Sequence, residues 1–124
     1  MRSLPDTWAT ESSLQMAVAS YLDDILDHAL VQWTHIPSGG KRSKITAANL
    51  KRQGVKRGWP DCVLLYLGRV LFIELKRTKK SKTLPKQTEF AAWANAHGFP
   101  TVICRSLGGV ENALLEYGVP VRGR

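Results

Sequence analysis

Pro60-Asp61-Cys62-Val63-Leu64-Leu65-Tyr66-Leu67-Gly68-Arg69-Val70-Leu71-Phe72-Ile73-Glu74-Leu75-Lys76 is the stretch that decides the fold. Two apolar runs, Asp61 to Leu67 and Val70 to Lys76, are separated only by Gly68-Arg69, which predicts two antiparallel strands joined by a tight turn. Folding back at that turn carries Asp61 close to Glu74. Side chains alternate along a strand, so Glu74 and Lys76 share one face, roughly 7 Å apart at about 3.3 Å per residue, while Ile73 and Leu75 point to the other. Two carboxylates and an ammonium at one end of a hairpin can address a single phosphate. Asp and Glu oxygens suit Mg²⁺ or Mn²⁺, hard ions that keep several waters and take one or two protein carboxylates. Taken alone, Glu-x-Lys is equally the charged, solvated end of an ordinary hairpin.

Working outward, the charge pattern favours the first of these readings. The chain of 124 residues has 18 Lys and Arg against 10 Asp and Glu, a net charge of +8. Lys41, Arg42, Lys44, Lys51, Arg52, Lys56 and Arg57 form one stretch before the hairpin. Lys76, Arg77, Lys79, Lys80, Lys82 and Lys86 form another after it. A partner with a dense row of negative charge is implied, because each phosphate neutralised releases condensed counterions. A membrane-surface helix would need bulky apolar residues opposite the lysines, and the Lys76 to Lys86 run has only Leu84. A basic surface that serves solubility alone is the bland alternative.

Composition is that of a soluble globular protein, with 44% hydrophobic and 23% charged residues, and a single domain spanning residues 1–124 is expected. No apolar run approaches the roughly 18 residues that span a bilayer, and Met1 to Asp6 lacks the apolar stretch of a signal peptide, so a cytoplasmic location is expected. Cys62 and Cys104 lack zinc-ligand spacing and read as reduced core thiols.

From Glu11 to His28 the apolar residues Leu14, Val18, Tyr21, Leu22 and Ile25 recur with helical spacing behind a candidate N-cap, Thr10. Glu11 lies on that stripe. It is a third candidate site acid, although an acid in a first helical turn is also favoured by the helix dipole alone. Val31 to Ile36 alternates like a strand and stops at Pro37-Ser38-Gly39-Gly40, and the basic segment to Arg57 reads as loop with a short helical turn around Thr46 to Lys51. Thr83-Leu84-Pro85 opens a second helix that Gly98 and Pro100 close, with Gln87, Phe90, Ala91 and Ala94 on one face. Thr101 to Arg105 is a further strand and Ser106-Leu107 to Tyr117 a last helix. The order α-β-β-β-α-β-α needs a crossover, hence a mixed sheet with helices on both faces. Trp8, Trp33 and Trp93 read as core or interface, Trp59 as either core or base-stacking, and His35 as structural or phosphate-contacting. His28 and His97 end helices.

The succession Glu11, then His35-Ile36-Pro37-Ser38-Gly39-Gly40-Lys41-Arg42, Gly54-Val55-Lys56-Arg57-Gly58-Trp59-Pro60-Asp61, Phe72-Ile73-Glu74-Leu75-Lys76 and Gln87 resembles a stand-alone VRR-NUC domain of the PD-(D/E)xK nuclease superfamily, from about Glu11 to Tyr117. The resemblance implies an α/β fold with a restriction-endonuclease-like αβββαβ core and metal-dependent DNA phosphodiester hydrolysis with Mg²⁺ or Mn²⁺, one or two ions per site. It implies Asp61, Glu74 and the Leu75 carbonyl as metal ligands, completed by Glu11, Lys76 beside the attacking water, and Gln87 as a positioning group. Lys41, Arg42, Lys44, Lys51, Arg52, Lys56, Arg57, Arg77, Lys79 and Lys80 are the expected nucleic-acid contacts. Trp59 and Cys62 depart from the small or aliphatic residues expected beside the Pro-Asp pair. By family analogy the chain is expected to act as a homodimer on duplex or branched DNA such as four-way junctions, in a bacterial or phage-infected cell. No membrane partner and no small-molecule cofactor are expected, and Leu107 to Val121 is the expected dimer surface. A non-catalytic basic nucleic-acid-binding module, or a scaffold whose charge serves solubility, are the competing readings.

Overall fold

The computed structural model describes residues 8–37 and 43–123. Lys41 and Arg42 lie outside the described residues.

The hairpin forms as the alternation requires. β2 (Cys62–Tyr66) and β3 (Arg69–Leu75) pair antiparallel, with Cys62 opposite Ile73 and Tyr66 opposite Arg69. This register moves the turn one residue earlier than expected. The two loop residues are Leu67 (φ 48°) and Gly68 (φ 74°), both left-handed as a twist-matched two-residue hairpin turn demands, and Arg69 opens β3 instead. β1 (Val31–His35) adds antiparallel to β2, and β4 (Thr101–Cys104) adds parallel to β3, giving a mixed sheet in the order β1-β2-β3-β4.

Alternation along β3 divides the sheet into two faces. Leu71, Ile73 and Leu75 enter a core with Leu14, Val18 and Leu22 of α1 (Glu11–Ile25) and Val110, Ala113 and Leu114 of α4 (Leu107–Glu116). Thr10 caps α1 as expected, accepting from the Ser13 amide at 2.9 Å, and Ser106 caps α4 through Gly109. The chain leaves α1 at Leu26, earlier than His28, because Leu26 turns extended and bridges Val121. The opposite face carries Phe72 and Glu74 and is covered in part by α3 (Pro85–Ala96), whose Pro85 start and left-handed Gly98 stop follow the sequence. Helices on both sides of a four-stranded mixed sheet bear out the expected α/β class.

One expectation is corrected here. The segment before the hairpin holds a full helix, α2 (Lys44–Arg52), capped by Ser43, rather than a single turn. It buries no residue, so no apolar stripe announced it. In the C-terminal segment expected to supply a dimer surface, Leu107, Val110, Ala113, Leu114, Val119 and Val121 are buried within the chain itself, which leaves Leu115, 53% exposed, as its large outward apolar residue. No helix is long and apolar enough to cross a membrane among the described residues.

Candidate active site

Asp61 stands one step before β2, so the register Cys62–Ile73 sets it across from Glu74 at the end of the ladder. Its Oδ2 accepts the Leu75 amide at 2.7 Å, which fixes the carboxylate against the site strand. Its backbone carbonyl is held from the other side by the Ile36 amide at 2.7 Å and by His35 Nδ1 at 2.8 Å. His35 is therefore a strut for the Asp61 main chain.

Glu74 is only 5% exposed. Burial, then the hydrogen bonding and charge of Asp61, and more weakly the charge of Glu11, push its carboxyl up to about 9 against the opposing pull of Lys76. Lys76, 9% exposed, sits on the same face, with Nζ donating to Gln87 Oε1 at 2.9 Å. That same oxygen accepts the Leu84 amide at 3.0 Å, so Gln87 ties the first turn of α3 to the lysine. The strand end is fixed in turn by the Lys76 amide, which donates to the Cys104 carbonyl of β4 at 3.0 Å.

Glu11 reaches the same end from α1. Its Oε1 accepts the Arg77 amide at 2.9 Å and the Ser81 hydroxyl at 3.3 Å, which places it just beyond Lys76 in the chain. The structure thus brings together Glu11, Asp61, Glu74, Lys76 and Gln87, contributed by α1, β2, β3 and α3. Arg77 is half-buried beside the site. Its guanidinium donates to the Trp8 carbonyl at 3.3 Å, a bond that anchors the entry to α1. Lys44, Lys51 and Arg52 ride on α2, and Lys56, Arg57, Lys79 and Lys80 are exposed in the flanking loops.

Sequence reasoning missed Gln15, one helical turn after Glu11. Its Nε2 contacts Cys62 Sγ at 3.7 Å, beside Asp61, and its Oε1 is buried with no hydrogen-bond partner among the described residues. Spacing of four from Glu11 was the available signal. Cys62 and Cys104 are buried free thiols, pushed up to about 12 and about 11 chiefly by burial, and are inert at neutral pH.

The donor set fits a hard divalent cation better than a transition metal. Among the described residues no group of three or more His, Cys, Asp or Glu side chains is placed to hold a metal ion, so the protein side chains offer at most two carboxylates to one ion. Carboxylates set around a backbone strand end suit Mg²⁺ or Mn²⁺, which retain waters. The orphaned Gln15 oxygen is the kind of acceptor that such a water satisfies.

A solved structure described as "VRR_NUC domain protein" matches the chain with a TM-score of 0.69 at 23% identity, covering 92% of this chain and 93% of that one. The chain has the VRR_NUC fold. No protein-family model and no curated protein matches the sequence. The VRR_NUC likeness agrees with the resemblance read from the motifs.

Proposed function

We propose that the chain is a divalent-metal-dependent DNA endonuclease, with Asp61, Glu74, the Leu75 carbonyl and Glu11 holding Mg²⁺ or Mn²⁺. The observation that carries this reading is the crowding of acids around a 5%-exposed Glu74, whose carboxyl is pushed up to about 9 by burial and by Asp61. Burying carboxyl groups together beside a lysine is costly for a surface that only binds phosphates, and a cation offsets that cost. The same crowding counts against the binding-only module.

When bound, the ion supplies polarisation of the scissile phosphate and a lowered pKa for an attacking water. Asp61, pinned by the Leu75 amide, and Glu74 set the position of the phosphate relative to β3. Lys76, held by Gln87, donates to the non-bridging oxygens as negative charge builds on them. The water oxygen would bond to phosphorus as it gives up a proton to solvent, while the P–O3′ bond breaks and O3′ takes up a proton from solvent, leaving a 5′-phosphate and a 3′-hydroxyl. Exposed cations of α2 and the loops contact phosphates along the strand. Contacts of this kind go to the backbone, so recognition by backbone and shape, branched DNA included, is the expected mode. A homodimer would supply the two sites needed for symmetric cutting of a four-way junction.

The test is cleavage of labelled single-stranded, duplex, flap and four-way-junction DNA with Mg²⁺, Mn²⁺ or EDTA. Metal-dependent cutting is expected, abolished in Asp61→Ala, Glu74→Ala and Lys76→Ala while DNA binding persists. Binding without cutting under either metal would replace this reading with the binding module. Light scattering that gave a monomer at micromolar concentration would remove the basis for paired cuts at junctions.

A further inference from the structure

Beside the acids, the α3 face of the sheet carries a run of aromatic rings that the hydrolytic chemistry does not use. Trp59 packs on Phe90 with ring centroids 4.6 Å apart and meets Phe72 edge-on at 5.9 Å, and Phe72 and Phe90 are themselves perpendicular at 5.2 Å. Phe72 is buried, yet Trp59 remains 39% exposed. We infer that Trp59, backed by Phe72 and Phe90, is a stacking platform for an unpaired nucleobase next to the scissile phosphate. This inference rests on the nuclease reading for the position of that phosphate.

Three observations support it. Trp59 lies two residues before Asp61, and its support Phe72 lies two residues before Glu74 on the same face, about 7 Å along the strand, so the ring neighbours the carboxylates. The ring is also held firmly. Gly58 (φ 88°) presses against the first turn of α3 so closely that a Cβ there would fall 2.4 Å from the Lys86 carbonyl oxygen, and Pro60 on the other side is fully buried. A stacking ring fixed in advance loses little freedom when a base lands on it. Finally, exposed Lys56 and Arg57 adjoin the ring in the chain, and Lys86, ion-paired with Glu89 at 3.4 Å, lies across that contact. Cations that track a backbone, interleaved with an exposed aromatic face, are the chemistry of single-strand binding. The same cations argue against a second copy of the chain as occupant, since each copy carries +8.

The experiment measures binding by fluorescence anisotropy in EDTA, where nothing is cut, using oligothymidylate, a fully abasic oligomer of equal length and a blunt duplex. Wild type is expected to prefer oligothymidylate over the abasic strand by between about 5-fold and about 100-fold, the range of one base stacked on an aromatic ring. Trp59→Leu is expected to erase that preference while leaving affinity for the abasic strand and the duplex unchanged. Trp59→Phe, which keeps a ring and packs in the same place, is expected to retain part of it. Equal wild-type affinity for the two single strands overturns the inference without any variant having to fold. So does a Trp59→Leu loss that is the same on all three ligands, or one confined to self-association in light scattering. A thymidylate preference in a protein that never cuts DNA would sink the nuclease reading and keep the platform; cutting without the preference would do the reverse.

Discussion

Alternate residues of one strand face two different physical problems. On the α1 and α4 side, Leu71, Ile73 and Leu75 are packed among aliphatic side chains and the 5-residue stretch needs nothing but exclusion of water. On the α3 side, Phe72, Glu74 and Lys76 place a carboxylate and an ammonium under cover, with Asp61 before β2 and Gln87 of α3 as their side-chain partners. The comparison shows how seven residues of β3 hold the fold with one face and concentrate charge with the other. A strand is suited to this because its two faces are independent in packing yet locked in register.

The largest effect that sharpens this contrast is chemical. Asp61→Ala or Glu74→Ala is expected to abolish cleavage in a protein that still melts cooperatively, as circular dichroism would show. Leu71→Ala should do the opposite, leaving the site groups intact while costing about 2–5 kcal/mol of stability in urea unfolding, as buried leucine truncations do. If Glu74→Ala unfolds the chain, the two faces are not separable. Next comes Gln87→Ala, which removes the acceptor of Lys76 Nζ and should lower the cleavage rate by about 10- to 100-fold, comparable to loss of an orienting partner at a metal site.

A pH measurement probes the same face without activity. Glu74 has a folded pKa near 9 against the ordinary value of 4.5, so between those limits the folded state binds a proton that the unfolded state lacks. Stability of the protein in EDTA should therefore fall as pH rises from about 5 to about 9. Glu74→Gln should remove that component, which a comparison of the two melting curves across pH would read. A wild type with the same slope as Glu74→Gln would show that the carboxyl is already ionised. The smallest expected effect lies on α2, where Lys51→Ala with Arg52→Ala should reduce the slope of log affinity against log salt by about 2, at roughly 0.9 per phosphate contact, with no change in melting temperature.

How much of this was legible depended on whether burial wrote itself into the sequence. The hairpin was plain because both of its runs alternate against a core, and the Asp61–Glu74 pairing followed from strand geometry. The turn was displaced by one residue because Leu67, an uncommon occupant of a left-handed position, gives no local signal. α2 was underestimated for a related reason: a helix without a buried residue has no apolar periodicity, and only Ser43 as N-cap marked its start. The C-terminal apolar residues looked free for a partner because sequence shows that a residue seeks cover, never which surface provides it. Trp93, read as core or interface, is 53% exposed and stacks on His97 at 4.4 Å. Gln15 went unnoticed because a lone amide on an amphipathic helix resembles any solvent-facing residue until its oxygen is found buried.

The parallel pairing of β3 with β4 also sets an order of events during synthesis. Every candidate catalytic side chain lies at or before Gln87, but the carbonyl of Cys104 that holds the Lys76 amide, and the strand that flanks Glu74 through Ile103, come later. A chain translated only as far as Gly98 has all of the chemistry and none of the clamp. The crossover helix and the strand beyond it must both emerge before the charged end of the hairpin can settle against β4.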